Sequence, residues 1–362
     1  MGGGGSTAAM TKGLCLQPVL PGLEADYVHD VVYDYYGTRL ALCTSRHRIS
    51  IYSLPVDGDS SWTETARMDN AHSQPIWRLS WSHPDNGDLL ASCSEDGTIR
   101  VWANPGRASA VSDDSAELPR RDMRKQLAME GPCVDLRFAP VAYGCKIAAC
   151  TSKGRARVWD CPNSLDLRYW ENADLDSPGV PPDHSGLSAA LDWMPPVPGD
   201  VAPSEDREVL AVAGRNGRLA IWVKTKSVRW MELASVEAHP IASGGVKDVA
   251  WCPNLCRPYE IIATCGAGAA LWRVKFLGPD ERRPSSNVGS ARKDSALNCQ
   301  VQQIIELVPT SSDLCPVWRC SWNLTGTNLS LCTDSEELQL WRLGETEDWV
   351  RDDEQATVVV LD

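Results

Sequence analysis

Leu90-Ala91-Ser92-Cys93-Ser94-Glu95-Asp96-Gly97-Thr98-Ile99-Arg100-Val101-Trp102 is the stretch on which the fold turns. Residues 90–93 form an apolar, small-residue run too short for a helix, so they read as a buried strand. Asp96-Gly97 is a strong hairpin signal, because a type I′ turn needs positive φ at both central residues. The strand after it closes on Trp102. Upstream, another apolar strand ends at Trp81, 21 residues before Trp102.

This programme recurs six times. The first strand of each unit ends at Tyr33, Trp81, Phe138, Trp193, Trp251 or Trp322, and the closing aromatic is Tyr52, Trp102, Trp159, Trp222, Trp272 or Trp341. The interval is 21 residues in three units, 19 in two, and 29 in the fourth, where Pro195-Pro196-Val197-Pro198-Gly199 opens an insertion. Asn216-Gly217 repeats the strong turn signal, and Lys153-Gly154 and Ala267-Gly268 give weaker ones. The outer units have Ser45-Arg46-His47-Arg48 and Ser335-Glu336-Glu337, which lack glycine and predict looser turns. A further strand fits after each closing aromatic, at 62–68, 123–130, 167–172, 230–236, 301–308 and 357–361. Four strands in each of six units predict an all-β fold, a six-bladed β-propeller. Residues 1–13 read as a Gly-rich leader and 14–362 as one propeller. Its blades fall near 26–70, 71–131, 132–173, 184–236, 237–309 and 314–362. The stretches 103–119 and 277–297, rich in Ser, Pro, Gly and charge, read as mobile insertions.

The quoted stretch resembles a blade of the WD-repeat family, and Trp159-Asp160 is the one literal Trp-Asp pair at a closing position. Ala71-His72 and Ala238-His239 stand where such blades begin with Gly-His. Val317-Trp318-Arg319-Cys320-Ser321-Trp322-Asn323-Leu324-Thr325-Gly326-Thr327 resembles the last blade of the SEH/SEC-thirteen family of WD-repeat scaffold proteins. Ala250-Trp251-Cys252-Pro253-Asn254-Leu255 and Arg137-Phe138-Ala139-Pro140 resemble its earlier blades. Tyr33-Asp34-Tyr35-Tyr36-Gly37-Thr38-Arg39-Leu40-Ala41 is similar equally to the nucleoporin and COPII-coat branches. The resemblance covers about residues 26–350 and is nearer to the nucleoporins.

That resemblance implies a structural hydrogen-bonded tetrad of His72, Ser92, Asp96 and Trp102. It implies a place in the nuclear pore's Y-shaped outer-ring complex at the nuclear envelope, supporting transport of protein and mRNA. The partners would be a helical scaffold nucleoporin, accepted by blade insertion, and other outer-ring nucleoporins. A second implied assembly is of the GATOR-two (SEA) type, signalling amino-acid status to the TOR kinase at the lysosome or vacuole. Two rival readings are a COPII coat subunit and a propeller whose central face reads a peptide. From the residues alone, 14–20 is left over once 357–361 supplies the outer strand of blade six. An unpaired edge needs cover, so Leu14, Leu16, Val19, Leu20, Val358, Val359 and Val360 are the candidate partner edge. A closed ring and an open one both fit the residues; the resemblance implies the open one.

Composition narrows the classes. The chain of 362 residues has 35 basic and 48 acidic residues, a formal charge of −13. No Lys/Arg stripe offers a nucleic acid the counterion-replacing face it needs. Of fourteen cysteines, Cys43, Cys93, Cys150, Cys265 and Cys332 share one register position, which Ala213 fills in the remaining blade, the fourth. They read as small packing residues in a reducing compartment. Cys252 and Cys256 have no second pair at zinc-site spacing, so no metal is expected. Six histidines occur without a His-Glu-x-x-His helix, and no Gly-x-Ser-x-Gly elbow is present. The reading is a non-enzyme with no cofactor and no small-molecule substrate. No run of about 18 apolar residues occurs, so membrane association is expected only through an assembly. Met1-Gly2 with Ser6 formally fits a myristoylation pattern, within a low-complexity head.

Overall fold

The computed structural model describes residues 26–54, 62–103, 122–175, 189–196, 207–224, 229–255, 257–277, 298–308, 316–335, 337–344 and 348–352. They form six four-stranded antiparallel sheets, each built from strands consecutive in sequence. Blade one is β1 (Val28–Tyr33), β2 (Arg39–Thr44), β3 (Ile49–Ser53) and β4 (Thr63–Met68). Blade two is β5 (Ile76–Trp81), β6 (Leu89–Ser94), β7 (Thr98–Ala103) and β8 (Asp122–Ala128). Blade three is β9 (Cys133–Phe138), β10 (Lys146–Thr151), β11 (Ala156–Asp160) and β12 (Glu171–Leu175). Blade four is β13 (Ala189–Trp193), β14 (Glu208–Gly214), β15 (Arg218–Lys224) and β16 (Trp230–Glu237). Blade five is β17 (Asp248–Trp251), β18 (Glu260–Cys265), β19 (Ala269–Leu277) and β20 (Asn298–Val308). Blade six is β21 (Val317–Trp322), β22 (Asn328–Thr333), β23 (Leu338–Leu343) and β24 (Trp349–Arg351). This is a six-bladed β-propeller, and every first strand ends on the aromatic that marked it in the sequence.

Every residue of the second strands β6, β10 and β18 is buried, because those blades are covered on both faces, whereas β22 of blade six alternates between buried and more exposed positions. In β6, Leu90 packs with Ala41, Cys43, Ile49 and Ile51 of blade one. Its neighbours Ala91 and Cys93 join Leu136, Ile147 and Trp159 of blade three. Small residues on one face let the next blade approach, and the large ones fill the opposite interface. Each fully buried leucine or isoleucine contributes about 1.5–3 kcal/mol.

Four local expectations are corrected. The outer strand of blade six is β24, paired with β23 through Leu343–Trp349, Arg342–Val350 and Trp341–Arg351. It is not 357–361, which lies outside the described residues, as do Leu14, Leu16, Val19, Leu20, Val358, Val359 and Val360. Trp349 anchors the strand by packing edge-on against Trp322, with ring centroids 5.3 Å apart. In blade three the outer strand begins at Glu171, because residues 162–169 make turns that end with the Trp170 indole donating to the Leu167 carbonyl. The turn at Asp96-Gly97 is not type I′: Gly97, at φ 75°, is left-handed, but Asp96 is not. Gly97 N–H returns to the Ser94 carbonyl, and Gly154 and Gly217 repeat that closure. In blade one His47 occupies the same place at φ 62°, so the glycine-free turn is not looser; it puts a histidine in the left-handed region.

Candidate functional site

The inner strands run side by side from β1 through β5, β9, β13 and β17 to β21. A polar side chain of each blade stitches it to the next. Asp30 Oδ2 accepts the Leu79 N–H at 2.9 Å, and Ser80 Oγ accepts the Phe138 N–H at 3.0 Å. Asp135 Oδ2 accepts from Leu191 at 2.9 Å, Asp192 Oδ2 from Trp251 at 2.7 Å, and Asp248 Oδ2 from Cys320 at 3.0 Å. The terminal tryptophans reinforce alternate joints: Trp81, Trp193 and Trp322 donate their indole N–H to the carbonyls of Val32, Arg137 and Ala250 in the preceding blade. Five joints are thus made by hydrogen bonds from backbone groups that no strand ladder satisfies.

The series stops at blade six. Its inner strand carries Arg319 and Ser321 at the stitching positions, and neither side chain bonds to blade one among the described residues. The surfaces on either side differ from every other interface. Cys43, Cys93, Cys150 and Cys265 are buried, whereas Cys332, at the same register in β22, is exposed. On the other side Val31 is 47% and Tyr33 60% exposed, while β9 and β17 are almost wholly buried. Tyr33 has no indole with which to clamp a preceding blade; its ring leans on Trp62 at 6.0 Å. Leu40, Leu42 and Tyr52, on the face of blade one that points away from blade two, cluster with Trp62 and with no described residue of blade six.

The structure brings His72, Ser92, Asp96 and Trp102 together. His72 Nδ1 lies 3.0 Å from Asp96 Oδ2, His72 Nε2 lies 2.7 Å from Ser92 Oγ, and Trp102 Nε1 donates to Ser92 Oγ at 2.9 Å. Burial lowers the His72 pKa against the opposing pull of Asp96. Burial works the other way on Asp96, but hydrogen bonds from His72 and Thr98 hold its carboxyl well below the usual range. Blade five has a shorter version that the sequence reading did not assemble: His239 Nε2 and Trp272 Nε1 both meet Thr264 Oγ1, at 3.0 and 2.9 Å. Both sets tie a loop to two strands.

The axial channel is filled by the protein's own charges. Arg78 reaches Asp135 at 3.1 Å, Asp248 at 3.2 Å and Asp30 at 3.6 Å. Blades two and five face each other in a six-blade ring, so the Arg78–Asp248 pair spans the axis. Desolvation raises the Asp248 pKa and pushes Asp192 up to about 6, against the pull of nearby arginines. Among the described residues no three His, Cys, Asp or Glu side chains are grouped to hold a metal ion.

A family model described as "WD domain, G-beta repeat" matches residues 64–103, which run from β4 through β7. Nucleoporin seh1 of Schizosaccharomyces pombe is 26% identical over 322 residues, covering 88% of this chain and 89% of that protein. Nucleoporin SEH1 of Saccharomyces cerevisiae is 28% identical, covering 90% of this chain and 95% of that one. The chain is similar to the Seh1 nucleoporins throughout its propeller. Human Nucleoporin SEH1 extends the likeness to vertebrates, at 26% identity over 90% of this chain and 84% of its own. Seh1 nucleoporins form a structural, non-enzymatic family, which agrees with the scaffold character of both histidine sets. Among solved structures, the Cps50 (Swd1) β-propeller domain of Myceliophteria thermophila has a TM-score of 0.57 at 15% identity, covering 90% of this chain and 88% of that one. A chain in a mitotic checkpoint complex has a TM-score of 0.56 at 16% identity, covering 89% of this chain and 76% of that one. At those identities the likeness concerns the fold.

Proposed function

We propose that this protein is a scaffold nucleoporin of the Y-shaped outer-ring complex, and that it accepts a blade from a helical scaffold partner between blades six and one. The observation that carries the reading is that the described residues stitch five joints and leave the sixth without one. Five intervals are stitched by Asp or Ser side chains, while the sixth has Arg319, Ser321 and an exposed Cys332 on one side and the exposed β1 on the other. An inserted strand would gain main-chain pairing along a sheet edge and bury alternate side chains. Likeness to Seh1 nucleoporins supports the pore as the assembly. On this reading the protein sits at the nuclear envelope and contributes to traffic of protein and mRNA without binding nucleic acid itself. The same edge would serve a GATOR-two-type assembly at the lysosome or vacuole.

Affinity purification of the tagged full chain with mass spectrometry tests the assembly. Recovery of outer-ring nucleoporins is expected; recovery of coat subunits alone would transfer the protein to the COPII role. Deleting residues 14–20 tests whether Leu14, Leu16, Val19 and Leu20 belong to the edge: weaker partner capture by a folded variant assigns them to it. Prolines at Val358, Val359 and Val360 test the other terminus in the same way.

A further inference from the structure

A cavity of about 290 Å³ opens at one mouth of the channel, where the inner strands of blades one, two and three turn back. Tyr33, Tyr35, Trp81, His83 and Val141 line its walls, and Arg137 reaches it from β9. Tyr35 stands edge-on to His83 with ring centroids 4.5 Å apart, so the rim is built rather than incidental.

Arg137 differs from its neighbour Arg78. Arg78 has three carboxylates in reach, whereas Arg137 has no carboxylate within ion-pair distance among the described residues. Its Nε is buried and without a hydrogen-bond partner. A buried, unsatisfied donor on a charged group is costly. An arginine fork is matched by a planar, two-oxygen acceptor. Asp34 also lines the cavity, but Arg39 Nε and the Thr38 and Arg39 N–H groups already engage it.

We propose that this cavity receives the carboxylate of a Glu or Asp side chain from an extended segment of a partner protein, held by the Arg137 fork with its apolar neighbours against Tyr35 and Val141. Charge favours a carboxylate over a phosphate. Asp135 and Asp192 of the same channel already hold the Arg137 pKa up after burial has worked against it, and their negative potential penalises a dianion more than a monoanion. Trp81 and the two tyrosines supply the apolar lining that small recognition pockets use around one polar anchor. The cavity shares Tyr33 with the exposed strand β1, but its anchor Arg137 and its rim residues Tyr35, His83 and Val141 lie outside the blade edge, so the contact stands without blade insertion.

The test follows the Arg137 Nε–H and Trp81 indole N–H resonances of the ¹⁵N-labelled full chain during titration with acetyl-Phe-Glu-Phe-amide, its Gln counterpart and inorganic phosphate. The Glu peptide is expected to shift both signals saturably and at least about tenfold more tightly than the Gln peptide. Arg137→Gln should abolish that preference. Tyr35→Ser, on the exposed rim, should weaken the Glu peptide several-fold without moving the thermal midpoint, which keeps the test open if Arg137→Gln misfolds. Equal binding of the two peptides, no saturable shift up to about 10 mM, or tighter binding of phosphate than of the Glu peptide would overturn the proposal.

Discussion

Ser92 shows what a single hydroxyl does here. It accepts from the Trp102 indole and meets His72 Nε2, so Ser92→Ala strands two buried ring nitrogens at once. The expected cost is about 1–3 kcal/mol, seen as a lower urea midpoint at unchanged m-value; a loss under about 0.3 kcal/mol would contradict the role given to it. The partner histidine adds a pH signature. Its folded pKa is below the unfolded value, so its contribution is full above about pH 6.5 and is lost as pH falls toward the folded pKa. His72→Gln should therefore flatten the decline in stability between about pH 7 and pH 5. At His47 the expectation is a gain: φ is 62° where blades two, three and four use glycine, so His47→Gly should stabilise by about 1 kcal/mol in thermal or urea unfolding. Gly217→Ala should do the reverse, because a Cβ there runs into the His239 carbonyl.

The inner strands carry the second level of organisation. Asp248 holds the Cys320 N–H of β21 and one arm of Arg78, so Asp248→Ala should cost about 3–5 kcal/mol. Hydrogen exchange in β21 should rise more than in β1; uniform acceleration would mean that the stitch is not local. The aromatic register in the sequence made the six sheets and the ends of the inner strands legible. It did not reveal the stitches. Asp30, Asp135 and Asp248 each sit three residues before the terminal aromatic, and Ser80 and Asp192 one residue before it. That signal was available, yet it acquires meaning only when neighbouring blades are laid side by side. The outer strand of blade six was misread for a different reason. The apolar run 357–361 has the higher β-propensity, but β24 is set by Trp349 packing on Trp322, a tertiary contact that propensity does not register. The cysteine register read as packing alone, whereas Cys332 breaks the pattern and marks the unstitched face.

At the scale of the whole molecule, the described residues stitch five of the six intervals and leave the one between blades six and one without a stitch. The charged channel runs through the stitched part. Asp192, pushed up to about 6 by desolvation, binds its proton more tightly in the folded state than in the unfolded one. Its effect therefore opposes that of His72: stability falls as pH rises from about 4 through 6. Asp192→Asn should remove that fall, read as the difference in urea midpoint between variant and parent across the window; an unchanged difference would contradict the assignment. The central claim concerns the sixth interval, and its most direct measurement is alkylation of Cys332, followed by peptide mass spectrometry, in the free protein and in complex with the proposed helical scaffold partner. The account predicts that Cys332 reacts well before Cys43, Cys93, Cys150 and Cys265 in the free protein and is protected in the complex. A Cys332 that is as inert as the other four when free, or equally reactive with the partner bound, would contradict it.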